Sequence, residues 1–312
     1  MKAKEILFKV EKAALQTLLR LIGMLPLKVH YFNSHWVAAL VEKVIRYRVD
    51  LVDDNLRHSF PEKTEAERLE IRHRFYLHFA RIFLEALWFG ACRDPKRLRK
   101  AHIVEIANPD LVTETFEKSS NIMVMYSHTG NWELLGGIAS YNYTDKPMPL
   151  TEQNYCIVYR RMSSRLWDEV MRDNRFAPLE DREHFEGYLE SMNIVRYAFR
   201  NKDNKKVYNM NTDQKPYFKS PDAIPVTFMN RPCKTMSAAA ALARKFNMAV
   251  LYQRMVEVGQ GRYSLEYVTI CEDPSTMSVE QIMTRYYELL EADLREQPHN
   301  YLWTHNRWWE GQ

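Results

Sequence analysis

The stretch NIMVMYSHTGNWELLGG, Asn121 to Gly137, holds the residue types best suited to chemistry: an imidazole, His128, and a carboxylate, Glu133, in a small polar turn after an apolar run. In one continuous helix, positions five apart point about 140° apart around the axis, so the two side chains would diverge. The i, i+4 spacing of an HExxH zinc helix is absent too. The pair is useful only if a strand ends before the histidine and a helix starts before the glutamate. The residues allow this. Ile122–Tyr126 reads as a buried strand, Thr129-Gly130-Asn131 as a turn with Asn131 a good N-cap, and Trp132 onward as helix. His128 then stands at the carboxyl end of a strand and Glu133 in the first helical turn, where open α/β sheets form ligand crevices. The chemistry of such a pair is general-base catalysis. Neutral imidazole takes a proton from a hydroxyl as that oxygen attacks a carbonyl, and the carboxylate fixes the tautomer and stabilises the imidazolium. If the hydroxyl belongs to the substrate, neither a Ser or Cys nucleophile nor a metal is needed. A histidine at a strand end is more often a polar residue satisfied by a backbone partner, so the rest of the chain must decide.

The elements around the pair follow from periodicity. Arg68–Phe89 carries apolar and aromatic residues at helical spacing. Thr64 and Glu67 before it have capping-box spacing. From Asn121 the pattern changes to short β-rich runs, at Ile122–Tyr126, Cys156–Tyr159, Lys206–Met210, Ala249–Val256 and Tyr263–Ile270. Helical segments alternate with them at Ser163–Asp173, His184–Arg200, Ser237–Phe246 and Glu280–Glu296. This alternation predicts an α/β fold, a mixed and mostly parallel sheet flanked by helices. The spacing predicts one domain over residues 1–312, a helical N-terminal layer over 1–97 and an α/β core over 98–312.

Composition excludes several classes. Of the 312 residues, 46% are hydrophobic, enough for a sizeable core and too many for a disordered chain. Forty-four basic residues against 40 acidic ones give only +4, spread along the chain, which fits an anionic membrane surface or an acidic protein better than nucleic acid. Cys92, Cys156, Cys233 and Cys271 are far apart and read as free thiols in a reducing compartment. The segment Ala13–Leu27 is broken by Arg20 and preceded by Lys2, Lys4, Lys9 and Lys12. It reads as an amphipathic helix lying on a membrane, with Leu15, Leu18, Leu19 and Ile22 in a stripe, or else as an ordinary core helix. The aromatic ending YLWTHNRWW reads either as packing against the fold or as an interfacial anchor.

The turn SHTGNWELLGG resembles the H-x4-(D/E) motif of the bacterial lipid A biosynthesis late acyltransferases, the lauroyl/myristoyl acyltransferase family, distant relatives of the glycerol-3-phosphate acyltransferases. Four more stretches resemble that family in order: VDDNLRHSFPEKTEAE, IVYRRMSSRLWDEVMRDNR, NTDQKPYFKSPDAIPVTFMNRPCKT and QPHNYLWTHNRWW. Two departures are visible. The segment before Pro26 is more charged than the family's spanning helix, and Asn230 stands where the family has glycine.

The resemblance implies a glycerol-3-phosphate acyltransferase-like fold and transfer of a fatty acyl chain from a thioester on acyl carrier protein, or on coenzyme A, to a hydroxyl of a lipid A precursor. It implies His128 as general base and Glu133 as its partner, with Arg160, Asp213, Gln214 and Arg254 as substrate-binding residues. Helix N-terminal amides after Asn131, or nearby arginines, would meet the oxyanion. It implies no cofactor and no metal, a lipid acceptor, and attachment to the cytoplasmic face of a bacterial inner membrane, peripheral or monotopic. Another lysolipid or aminolipid acceptor, or a non-catalytic lipid-binding relative, stays open.

Overall fold

The computed structural model describes residues 2–144, 147–216 and 223–308. Helices come first: α1 (Lys2–Gly23), α2 (Leu27–Ala39), a π-helical turn (Leu40–Val44), α3 (Val49–Ser59), α4 (Glu65–Gly90) and α5 (Pro95–Ala101). The capping box forms: Glu67 N–H donates to Thr64 Oγ1 at 3.3 Å, and Thr64 N–H donates to the Glu67 carboxylate at 2.7 Å. Strands and helices then alternate: β1 (Val104–Ile106), α6 (Asp110–Lys118), β2 (Asn121–Tyr126), a 3-10 helix (Trp132–Ser140), β3 (Tyr155–Tyr159), α7 (Arg165–Arg175), β4 (Tyr188–Glu190), α8 (Ile194–Arg200) and β5 (Lys206–Asn211). A hairpin of β6 (Ala223–Phe228) and β7 (Arg231–Met236) follows, then α9 (Ala238–Lys245), β8 (Ala249–Gly259), β9 (Arg262–Cys271) and α10 (Val279–Glu296).

The main sheet has seven strands in the order β1-β9-β8-β2-β5-β3-β4. Strands β8, β2, β5, β3 and β4 are mutually parallel, and β9 turns back antiparallel to β8 with β1 beside it. Central β2 is buried at all six positions. Its side chains alternate between two cores, Met123 and Met125 into one, Ile122, Val124 and Tyr126 into the other, as the two-residue period of a strand requires. The first core also takes Val52 and Leu56 of α3, Phe75, Tyr76 and Phe79 of α4 and Tyr286 of α10, so the early helices share their core with the sheet.

Two expectations change, and one open alternative is decided. His184–Arg200 is not one helix: Gly187 O accepts from Ile157 N–H, and Tyr188–Glu190 pairs with β3 as an edge strand before α8 begins. A Cβ on Gly187 would lie 2.3 Å from Tyr155 O, so the strand can approach only because that residue is glycine. The segment from Trp132 is 3-10 rather than α. The aromatic ending is packing and not an anchor: Tyr301, Trp303 and Arg307 are buried, while the last residues of the motif from Trp309 lie outside the described residues. The glycine departure is absorbed locally. Met229 and Asn230 both have positive φ in the two-residue turn of the β6–β7 hairpin, a conformation asparagine tolerates. Among the described residues no helix is long and apolar enough to cross a membrane.

Candidate active site

The sheet register builds the site. Strands β2 and β5 are parallel neighbours with Tyr126 opposite Asn211, so the residues two steps beyond each strand end face each other. These are His128 and Asp213. The imidazole Nδ1 lies 2.9 Å from Asp213 Oδ1 and 3.2 Å from Oδ2. Burial pushes the Asp213 carboxyl up, but the charge of His128 and the hydrogen bond from it outweigh burial and hold the carboxyl below its usual range. An ionised carboxylate only accepts, so the nitrogen facing it, Nδ1, carries a proton, and in any neutral imidazole so held Nε2 is the nitrogen with the lone pair. The amide nitrogens of Gln214 and Asn211 each lie 3.3 Å from Nε2. The His128 side chain keeps 14% exposure.

Glu133 has a different partner from the one expected. Its carboxylate is gripped by Arg175, Nε to Oε2 at 2.8 Å and Nη2 to Oε1 at 2.6 Å, and accepts from Trp132 Nε1 at 3.2 Å. Arg175 is fixed in turn by the Tyr188 hydroxyl at 2.7 Å. A forked guanidinium satisfies both carboxylate oxygens at once, which a single imidazole nitrogen cannot do. Burial raises the Glu133 carboxyl, yet Arg175 wins and, with a smaller contribution from His128, holds it low. Glu133 therefore acts on His128 through its field and through Trp132, whose ring meets the imidazole edge-on at 4.8 Å between centroids. The carboxylate within hydrogen-bond distance of the ring is that of Asp213.

The turn between them is held from three sides. Gly130 has φ +61°, and a Cβ there would lie 2.5 Å from Met255 Cγ, so both backbone and space call for glycine. Its N–H donates to Asn300 Oδ1 at 2.7 Å, and its carbonyl accepts from His78 Nε2 at 3.1 Å. Burial pushes His78 down to about 4, so it stays neutral. The His128 carbonyl accepts from Leu302 N–H at 3.2 Å. Asn131 caps the 3-10 helix by accepting from Glu133 N–H at 3.1 Å, and its own amide donates to the fully buried Glu85 at 2.8 Å. Tyr263 OH donates to the same Glu85 oxygen at 2.8 Å. Burial raises the Glu85 carboxyl to about 7 against the lowering effect of these two bonds.

The expected oxyanion amides are partly spoken for, because Glu133 N–H and Leu134 N–H both donate to Asn131. Arg160 directly follows β3 and is exposed. Arg254 follows Gln253, the β8 residue opposite Tyr126. Its guanidinium is engaged by Asp293, Glu296 and Glu266, which neutralise it. His305 is pushed down to about 4 by burial and lies in the field of Asp213, a packing residue rather than a second base. Asn211, Arg175, His78, Glu85 and Asn300 were not singled out from sequence. Asn211, next to a predicted strand, and Arg175 and Asn300, inside the family-like stretches, carried a usable signal; His78 and Glu85 did not. No three His, Cys, Asp or Glu side chains gather in a metal-binding group among the described residues.

Comparison with protein families is decisive. The family model described as bacterial lipid A biosynthesis acyltransferase matches residues 10–310, nearly the whole chain. The chain belongs to that family. No curated protein matches it. Membership makes the chain an acyltransferase of lipid A biosynthesis, a class that uses an acyl donor and a lipid acceptor and is membrane-associated.

Two predictions follow from the polar contacts. Arg175→Ala strands a buried carboxylate and should destabilise the fold by about 3 kcal/mol, at the low end for a buried pair because Arg175 keeps 26% of its side chain in solvent. Chemical denaturation of Arg175→Ala and of Glu133→Gln/Arg175→Ala checks this: the double variant should recover part of the loss, and equal loss in both would contradict it. Glu85 keeps its proton to about 7 in the fold but gives it up near 4.5 when unfolded. Its contribution is therefore fully present below the unfolded value and fades as pH rises through about 7, by up to ~1.4 kcal/mol per pH unit. Glu85→Gln, whose carbonyl can still accept both bonds, should gain stability relative to the parent between about pH 5 and about pH 7. A pH-independent difference in denaturation midpoint would contradict this.

Proposed function

We propose that the chain catalyses O-acyl transfer from a fatty acyl thioester, on acyl carrier protein or coenzyme A, to a hydroxyl of a lipid A precursor. It works as one catalytic unit at the cytoplasmic face of a bacterial inner membrane, attached peripherally or monotopically. The observation that carries the reading is the His128–Asp213 pair at two adjacent parallel strand ends, with Nε2 of His128 facing the side-chain amide of Gln214.

The steps follow from that geometry. The acceptor hydroxyl displaces the Gln214 amide from Nε2 and gives its proton to the imidazole as its oxygen attacks the thioester carbonyl carbon. Asp213 stabilises the imidazolium through Nδ1–H. The carbonyl oxygen becomes an oxyanion, for which the amide N–H groups of Asn211 and Gln214, both beside Nε2, serve as donors. Collapse breaks the C–S bond, the imidazolium returns its proton to the departing sulfur, and an ester and a free thiol leave. Glu133, locked by Arg175, adds negative potential beside the ring and keeps Trp132 against it. Arg160, directly after β3, is the residue we assign to a phosphate of the acceptor or of the phosphopantetheine arm, since a guanidinium recognises phosphate.

The test is transfer by purified protein from acyl carrier protein and coenzyme A thioesters to a lipid A precursor, read by product mass. His128→Ala should lose about 10²–10⁴-fold with an unchanged circular dichroism spectrum, and Asp213→Asn should lose a comparable factor. Near-normal turnover in folded His128→Ala, or no ester product from the parent protein with either donor, would contradict the reading.

A further inference from the structure

The first helices leave a long apolar face uncovered. On α2 the buried positions are His30, Ser34 and Ala38, one per turn, and this side packs on α4. The opposite side exposes Val29, Phe32, Trp36 and Leu40, again at helical spacing, and the stripe runs through the π-helical turn to Val44 and Ile45. The exposure is large: 69% for Phe32, 69% for Trp36 and 74% for Val44. Monomeric soluble proteins seldom leave a contiguous apolar patch of this kind without a partner.

The charges around the stripe say what covers it. Between Met24 and Val49 the exposed charged side chains are Lys28, Lys43, Arg46 and Arg48, all positive. Arg46 has an exposed neighbour, Asp50, at 3.5 Å. The one acid of the segment, Glu42, is buried against Arg72 and His73. A second copy docking on this face by two-fold symmetry would bring like charges together. An anionic bilayer takes both parts of the pattern: the apolar side chains enter the acyl boundary, Trp36 sits at the headgroup level, and the basic side chains meet lipid phosphates.

We propose that the α2–π-helical limb, through Phe32, Trp36, Leu40 and Val44 with the exposed Lys28, Lys43 and Arg46 of the same segment, is a bilayer-docking surface in its own right, separate from α1. It rests on the reading of a membrane-borne acceptor given above and specifies which surface delivers the site to it. The limb is well placed for this. Tyr47, just beyond it, stacks with Phe79 of α4, and Arg48 donates to the Thr304 carbonyl at 2.7 Å, next to the segment that holds the His128 loop.

The test compares full-length Trp36→Ser/Leu40→Ser and Lys43→Glu/Arg46→Glu with the parent chain. All four positions are exposed, so folding should survive, which thermal melting checks. Partition onto vesicles of phosphatidylcholine alone, and of phosphatidylcholine with phosphatidylglycerol, is read by co-sedimentation. Trp36→Ser/Leu40→Ser should lose about tenfold or more on both vesicle types. Lys43→Glu/Arg46→Glu should lose about tenfold on anionic vesicles and little on neutral ones. Turnover of detergent-dispersed acceptor should stay within about twofold for both, because neither touches the His128 cluster. Unchanged partition of Trp36→Ser/Leu40→Ser would leave α1 as the sole contact and overturn the proposal. So would sedimentation showing a lipid-free dimer of the parent chain that this variant dissolves. Partition needs no turnover, so the two readings fail separately.

Discussion

The in-register parallel pairing of β2 with β5 is the constraint from which the site follows. With Tyr126 opposite Asn211, the two chains leave the sheet side by side, and the second residue past each end is His128 on one and Asp213 on the other. A slip of one residue would turn one of these side chains to the other face of the sheet. The register is protected by burial: Met123, Met125, Ile122 and Val124 of β2 fill two separate cores, and exchanging them would expose or clash both. The hydrophobic alternation of the central strand thus sets an imidazole–carboxylate distance.

The turn after β2 is held almost wholly by polar contacts under cover. Gly130 gives its carbonyl to His78 and its N–H to Asn300, and Asn131 reaches Glu85. These groups come from α4 and from the segment after α10, far apart in sequence. Buried hydrogen bonds of this kind add little net stability when made and cost much when broken, so they favour one geometry over near alternatives. Electrostatics on the two sides of His128 differ in kind. Asp213 is ionised because the imidazole bonds to it, whereas Glu133 is ionised chiefly because Arg175 holds it. One carboxylate is coupled to the ring's proton, and the other supplies a fixed negative field.

Much of the fold was readable in the sequence because β2, β3, β5, β8 and β9 are apolar runs of strand length, α4 and α10 carry apolar residues at helical spacing, and a capping box precedes α4. Edge strand β4 was missed. At three residues it has no periodicity to read, and it exists because Gly187 lets it close on β3. His128 and the strand-then-helix logic around it were legible. The identity of its hydrogen-bonding carboxylate was not, since choosing Asp213 over Glu133 needs the strand order, and five residues of spacing say nothing about Arg175 more than forty positions on. Arg254 shows another limit: spacing alone does not reveal that the helix opposite brings Asp293 and Glu296 to its guanidinium. The closing aromatics were ambiguous for a similar reason, because Trp303 and Tyr301 are interfacial by type and buried by topology.

The central claim is that Asp213, and not Glu133, sets the tautomer of His128. Nitrogen-15 NMR of histidine-labelled protein tests it most directly, since protonated and lone-pair nitrogens of a neutral imidazole have well separated shifts. The account predicts Nδ1 protonated and Nε2 bare in the parent chain, a redistribution between the tautomers in Asp213→Asn, and the parental pattern kept in Glu133→Gln. A tautomer that changes in Glu133→Gln and stays unchanged in Asp213→Asn would contradict it.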